Sequence, residues 1–131
     1  MSRRQPLVLL LGALLAVAAC SRPAPGEQAA RAACAAYAHL AAGRYQQFLQ
    51  LKAGADSLPA DYREQLLTAC RQFVAQQQRA HGGISGVRVS SVRTDSLDAY
   101  TSVFLILSFA DSLTEEIVVP MVEHNGEWRM K

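Results

Sequence analysis

The sequence predicts an α+β domain: N-terminal helices packed on a curved antiparallel sheet of about four strands. Three observations carry this reading. Apolar residues recur at helical spacing between Gln28 and about Arg79. Beyond Gly82-Gly83 the period shortens to two. Asn125-Gly126, flanked by strand-like residues, then supplies the best short hairpin signal in the chain, because both residues tolerate positive φ. Helices segregated before hairpin-linked strands define the α+β class.

The first segment is read as an export signal. Arg3 and Arg4 give a positive start, Leu7 to Ala19 is an apolar or small run of 13 residues, and Val17-Ala18-Ala19 leads into Cys20. The run is too short to span a hydrocarbon core, which needs about 20 residues. The Val-Ala-Ala-Cys ending resembles the bacterial lipobox. That resemblance implies a diacylglycerol on the Cys20 thiol, cleavage before Cys20 and usually acylation of the new amino group. The division expected is residues 1–19 as a lipoprotein signal, 20–27 as the lipidated cysteine and a tether, and 28–131 as the domain. Ser21 to Gly26 holds two prolines and a glycine and reaches about 20 Å when extended. Ser21 is not the aspartate that retains enterobacterial lipoproteins at the inner membrane, so by analogy the outer membrane is favoured.

Removing the signal changes the charge balance. The precursor has 13 Lys+Arg and 11 Asp+Glu; without Arg3 and Arg4 the mature chain has 11 of each. A formally neutral domain has no basic footprint for nucleic acid and no polybasic membrane patch. The acyl chains on Cys20 are therefore its expected link to membrane lipid. Cys34 and Cys70 remain. In an exported chain they are expected to form a disulfide rather than stay as two buried thiols, and a loop of that length would add roughly 3–4 kcal/mol.

Gln28 to Ala42 is Ala-rich and free of Gly and Pro, and places Ala30, Cys34, Tyr37, Ala38 and Ala41 on one helical face. Gly43 breaks it. Arg44 to Leu51 reads as a short helix, and Lys52 to Ser57 as a loop. A third helix starts at Pro59-Ala60-Asp61 and runs to about Arg79, with a stripe of Tyr62, Leu66, Cys70, Phe73 and Val74. Gly82-Gly83 stops it.

The strands follow. Val87 to Thr94 alternates weakly. Ala99 to Phe109 is the strongest strand, with Val103, Leu105, Leu107 and Phe109 on one face and Phe104 and Ile106 on the other; apolar residues on both faces mark a central strand. Asp111-Ser112 makes a polar turn. Thr114 to Glu123 carries Ile117, Val119 and Met121 on one face, and Glu127 to Lys131 closes the sheet with Trp128 and Met130. Curling the sheet around the long third helix would bury both apolar surfaces and leave a cone with an apolar pocket.

These residues carry a resemblance. Tyr37, Gly43-Arg44-Tyr45, Leu66 to Val74, His81-Gly82-Gly83-Ile84 leading to Val87 and Val89, Val118-Val119-Pro120-Met121-Val122, and Asn125-Gly126-Glu127-Trp128-Arg129-Met130-Lys131 together are similar to a family of small bacterial lipoproteins. That family is a domain of unknown function with a nuclear-transport-factor-2-like, cystatin-like fold. The wider superfamily holds SnoaL-type cyclases, ketosteroid isomerases, dehydratases and many non-enzymatic binding or dimerising modules. The resemblance implies fold and location and assigns no activity.

Enzymes of that superfamily place an acid or a histidine inside the cone. Here the inward strand positions are apolar, Glu115 and Glu116 stand beside a turn, and Asp95 and Asp98 fall in a loop. None is placed as a buried general base. His81 is the one weak catalytic candidate: it either caps the third helix or acts as an acid or base at the pocket mouth. His39 and His124 read as surface residues. No histidine or cysteine spacing suits a metal, and neither a serine elbow nor a phosphate loop occurs, so no cofactor is expected. Tyr37, Tyr45, Tyr62, Phe48, Phe73 and Trp128 could line a pocket, though ordinary core is the weightier reading.

The expectation is thus a non-enzymatic envelope lipoprotein that binds a small apolar molecule or an envelope protein, or pairs as a homodimer. The alternatives are a small SnoaL-like isomerase or dehydratase using a pocket His or Tyr, and a structural spacer. Mass spectrometry of membrane-extracted protein should find cleavage before Cys20 and an added acyl mass. Cys20→Ser should leave the protein unanchored; membrane retention of that variant would overturn the lipidation reading.

Overall fold

A computed structural model describes residues 24–95, 97 and 100–131. The expected signal, Cys20 and residues 21–23 of the proposed tether lie outside the described residues, as does Asp98. The elements run α1 (Pro25–Ala41), α2 (Tyr45–Gln50), a 3₁₀ turn (Ala55–Ser57), α3 (Ala60–His81), β1 (Ile84–Asp95), β2 (Tyr100–Phe109), β3 (Thr114–His124) and β4 (Glu127–Met130). The strands form one antiparallel sheet in the order β1-β2-β3-β4. Helices followed by a four-stranded sheet confirm the α+β class.

α1 begins three residues earlier than expected, so Pro25, Gly26 and Glu27 belong to the helix and not to a tether. Proline suits the first helical turn, where its missing N–H would have no partner. Glu27 sits in the same turn, near the positive end of the helix dipole, and pairs with Arg31 at 2.7 Å.

The sheet curls around α1, not α3 as expected. α1 meets all four strands, whereas α3 packs on α2 and leans on α1 and β1. Alanine explains the choice. Ala29, Ala33 and Ala36 are completely buried, and side chains this small let the α1 backbone approach the sheet closely. The buried face is Ala29, Ala30, Ala33, Ala36 and Leu40. It is rotated from the expected one: Cys34, Tyr37 and Ala41 are half-buried and Ala38 is exposed.

β2 is the central strand. Val103, Leu105, Leu107 and Phe109 are buried on its inner face, while Phe104 and Ile106 are half-buried on the outer one. Val119 and Met121 of β3 and Met130 of β4 complete the inner layer. β1 is longer than its weak alternation suggested, because register shifts between Ile84 and Gly86 and between Val89 and Ser91 interrupt the period. Asn125 and Gly126 take φ of 51° and 79°, the hairpin geometry expected of them. The segment after α2 is tied to the last strand: Ala53 N–H donates to Met130 O at 2.7 Å, and Met130 N–H donates to Leu51 O at 2.8 Å.

Two apolar clusters result. One joins α1 to β2, β3 and β4. The other joins Leu40, Leu49, Leu67 and Cys70 where the three helices meet. The expected disulfide is not formed. Cys34 and Cys70 are free thiols because they serve different clusters. Cys34 packs against the first, with its thiol 3.7 Å from Val87 O on β1. Cys70 is buried in the second. A thiol titration of unreduced, denatured protein carrying Cys20→Ser should therefore find both remaining thiols reactive; finding neither would restore the bridge.

Candidate functional site

β4 pairs with β3 only over residues 121–124. Among the described residues no strand lies beside the rest of that edge of β3, and a pocket of about 380 Å³ opens there. α1 contributes Tyr37 and Leu40, α2 Phe48 and Leu49, and α3 Leu66, Ala69, Cys70 and Phe73. Val118, Val119 and Pro120 form the β3 wall, and Met130, Lys52 and Lys131 complete the lining. The volume lies at the low end of small-molecule sites, which span about 300–1,000 Å³.

The polar atoms of this wall are few. Tyr37 packs edge-on against Phe48, with ring centroids 5.4 Å apart at 81°. Burial raises the Tyr37 phenol above its ordinary pKa, and neighbouring Cys70 adds to the rise. Burial also raises the Cys70 thiol, with Arg71 opposing in part. Both groups are held in their neutral forms. Phenol and thiol can donate a hydrogen bond, but neither is prepared as a base or nucleophile. Among the described residues, no histidine or carboxylate side chain lines the pocket.

Of the residues expected to line a pocket, Tyr37, Phe48 and Phe73 do so. Tyr45 packs against the helical cluster without reaching the pocket. Tyr62 is 44% exposed, since α3 turns its first stripe residue outward. Trp128 packs on the sheet side against the first cluster, and its buried indole N–H has no hydrogen-bond partner among the described residues. Sequence reasoning did not assign the other eleven lining residues to the pocket, Cys70 and the two lysines among them. Nothing local marks Lys52 or Lys131 as neighbours; the strand-like tie between Leu51–Ala53 and Met130 brings them together.

His81 is neither a helix cap nor a pocket residue. The caps are the N–H groups of Gly82 and Gly83, which bond to Gln78 O and Gln77 O. Their φ values of 76° and 107° explain the glycines. His81 instead stacks on Phe109, with centroids 4.2 Å apart, and its Nδ1–H donates to Asp111 Oδ2 at 2.7 Å. This clamp fixes the end of α3 to the β2–β3 turn. The His81 hydrogen bond, with help from the Leu113 N–H, holds the Asp111 carboxyl below the usual aspartate range. His39 accepts from Arg44 Nε at 2.9 Å, and His124 is exposed. Glu115, Glu116 and Asp95 are exposed, with Glu116 accepting from Ser90 Oγ at 3.1 Å. Among the described residues no cluster of three His, Cys, Asp or Glu could hold a metal, and no helix is long and apolar enough to cross a membrane.

Helices packed into a curved antiparallel sheet, with a pocket at the open side, form an NTF2-like fold. A solved structure from Campylobacter jejuni, of a protein named as a candidate NTF2-like transpeptidase, matches with a TM-score of 0.61. The match covers 75% of this chain and 92% of that one, at 9% identity, and so concerns the fold alone. No family model and no curated protein matches the chain.

Asp111 provides a pH test of the clamp. Its folded pKa is depressed, so its contribution to stability is full above the ordinary aspartate range and is lost as pH falls through the folded value. Asp111→Asn should lower the thermal midpoint at neutral pH, and the gap to the wild type should close on acidification. A gap unchanged down to strongly acidic pH would refute the clamp.

Proposed function

We propose that the protein is a lipid-anchored envelope protein whose NTF2-like domain binds a small apolar ligand and catalyses no reaction. One observation carries the binding reading: a pocket with a predominantly aliphatic and aromatic wall that holds no carboxylate or histidine side chain. Histidine and the carboxylates are the groups that most often carry general acid–base chemistry. Tyr37, Cys70 and the two lysines are the lining side chains with nucleophilic chemistry, and burial favours the protonated forms of the Tyr37 phenol and the Cys70 thiol. The anchor rests on Cys20 following the apolar run, with the outer membrane favoured.

A second reading is a small enzyme using His81, and the 2.7 Å His81–Asp111 pair is what favours it. Such a pair orients an imidazole for proton transfer. It stands apart from the pocket lining, however, so a substrate held in the pocket is not presented to it. The sheet's outer face offers a further role. Phe104 and Ile106 are half-buried there and Val118 is 52% exposed, a surface on which a second copy or an envelope protein could pack.

Titration with the neutral apolar dye N-phenyl-1-naphthylamine tests the pocket. Its fluorescence should rise and saturate at one dye per chain. Ala69→Phe, which adds bulk at a lining position on the surface of α3, should weaken binding about tenfold or more. Undiminished binding by that variant, or saturable turnover of any substrate, would overturn the proposal.

A further inference from the structure

We infer that the pocket's ligand is an anionic amphiphile with a single apolar chain, its tail among the helices and its headgroup beside Lys52 and Lys131. This rests on the binding reading above and names the ligand class. The two charged side chains lining the pocket are both lysines, and no carboxylate side chain lines it. Lys52 reaches the main chain of the other lysine, its Nζ donating to Lys131 O at 3.4 Å. Lys131 Nζ sits 4.7 Å from the centroid of the Tyr100 ring, which holds that ammonium on the sheet side of the pocket's border. The ion pairs among the described residues, Glu27–Arg31, His81–Asp111 and Glu127–Arg129, engage neither lysine. Both ammonium groups therefore keep donors for an incoming anion.

The remaining wall suits a hydrocarbon chain. Leu40, Leu66, Phe73, Val119 and Met130 offer no hydrogen bonds, so a polar tail would lose its hydration without replacement. A methylene occupies about the volume of a water, roughly 30 Å³. A pocket of about 380 Å³ thus has room for a chain of about ten to twelve carbons. Lysine acts as a point charge and not as a planar fork, so carboxylate and sulfate headgroups should be accepted alike.

Calorimetric titration of the full chain with decanoate, decyl sulfate, decanol and decyltrimethylammonium tests the inference. Decanoate and decyl sulfate should bind about tenfold or more tightly than decanol, and the cationic amphiphile most weakly. The double variant Lys52→Ala, Lys131→Ala should bring the anions to the level of decanol and leave decanol unchanged. Shortening decanoate to octanoate should weaken binding about fourfold per methylene removed. Equal affinity for decanol and decanoate, or an anion preference that survives the double variant, would overturn the headgroup assignment while the pocket reading stands. Absence of binding by all four amphiphiles would overturn both.

Discussion

The close approach of α1 to the sheet is the constraint on which the rest of the molecule depends. Ala29, Ala33 and Ala36 lose all solvent exposure against the inner face. Each brings little apolar area by itself. Their value is that no side chain holds the helix away, so Val103, Leu105 and Met121 can pack against the helix surface itself. A leucine at Ala33 would need space that this interface does not contain, and overpacking of that kind costs about 1–3 kcal/mol. With α1 filling the curve of the sheet, α3 has no place on the inner face beyond its contact with β1. It packs on α2 and the flank of α1, and the second apolar cluster forms there.

The pocket is a consequence of that displacement and of one short strand. A longer β4 would pair along β3 past residue 121 and cover the edge now left open. Instead the last strand turns its backbone toward Leu51 and Ala53, and its final residue lands next to Lys52. One tie therefore does two things. It ends the sheet beside the helices, and it brings two lysines to the border of an apolar wall. The chemistry of the pocket follows from this backbone arrangement more than from any local motif.

How much of this was legible in the sequence depends on how much contrast each segment carries. β2 was plain, because apolar residues on both faces admit only a central position. Asn125-Gly126 was plain because few dipeptides accept positive φ twice. The α1 face was not, since an alanine-rich helix has almost no difference between its sides, and a rotation of one residue moves Cys34 from the core centre to its margin. From that error followed the expected disulfide: both cysteines lie on apolar stripes, but the stripes face different clusters. Tyr62 and Trp128 were assigned to the pocket by residue type, yet the start of α3 is solvent-facing and the sheet side of β4 belongs to the other cluster. Lys52 and Lys131 lie 79 positions apart, and only the tertiary tie joins them.

The early start of α1 bears on how an anchored domain would meet its ligand. With Pro25 already helical, only four residues, Ser21 to Ala24, separate Cys20 from the fold, and they reach about 14 Å when extended. An acylated Cys20 would thus hold the N-terminal end of α1 near the headgroups. The pocket is lined by Tyr37 and Leu40, at the opposite end of the helix. Twelve residues from Pro25 to Tyr37 span about 18 Å along the axis. If α1 stands away from the membrane, the pocket faces the aqueous side, and an amphiphile must leave the bilayer to enter it. If α1 lies along the surface, the pocket sits at headgroup level, where an apolar chain can slide in while its anionic end stays hydrated beside the lysines. The second orientation would leave the chain less exposed to water during transfer.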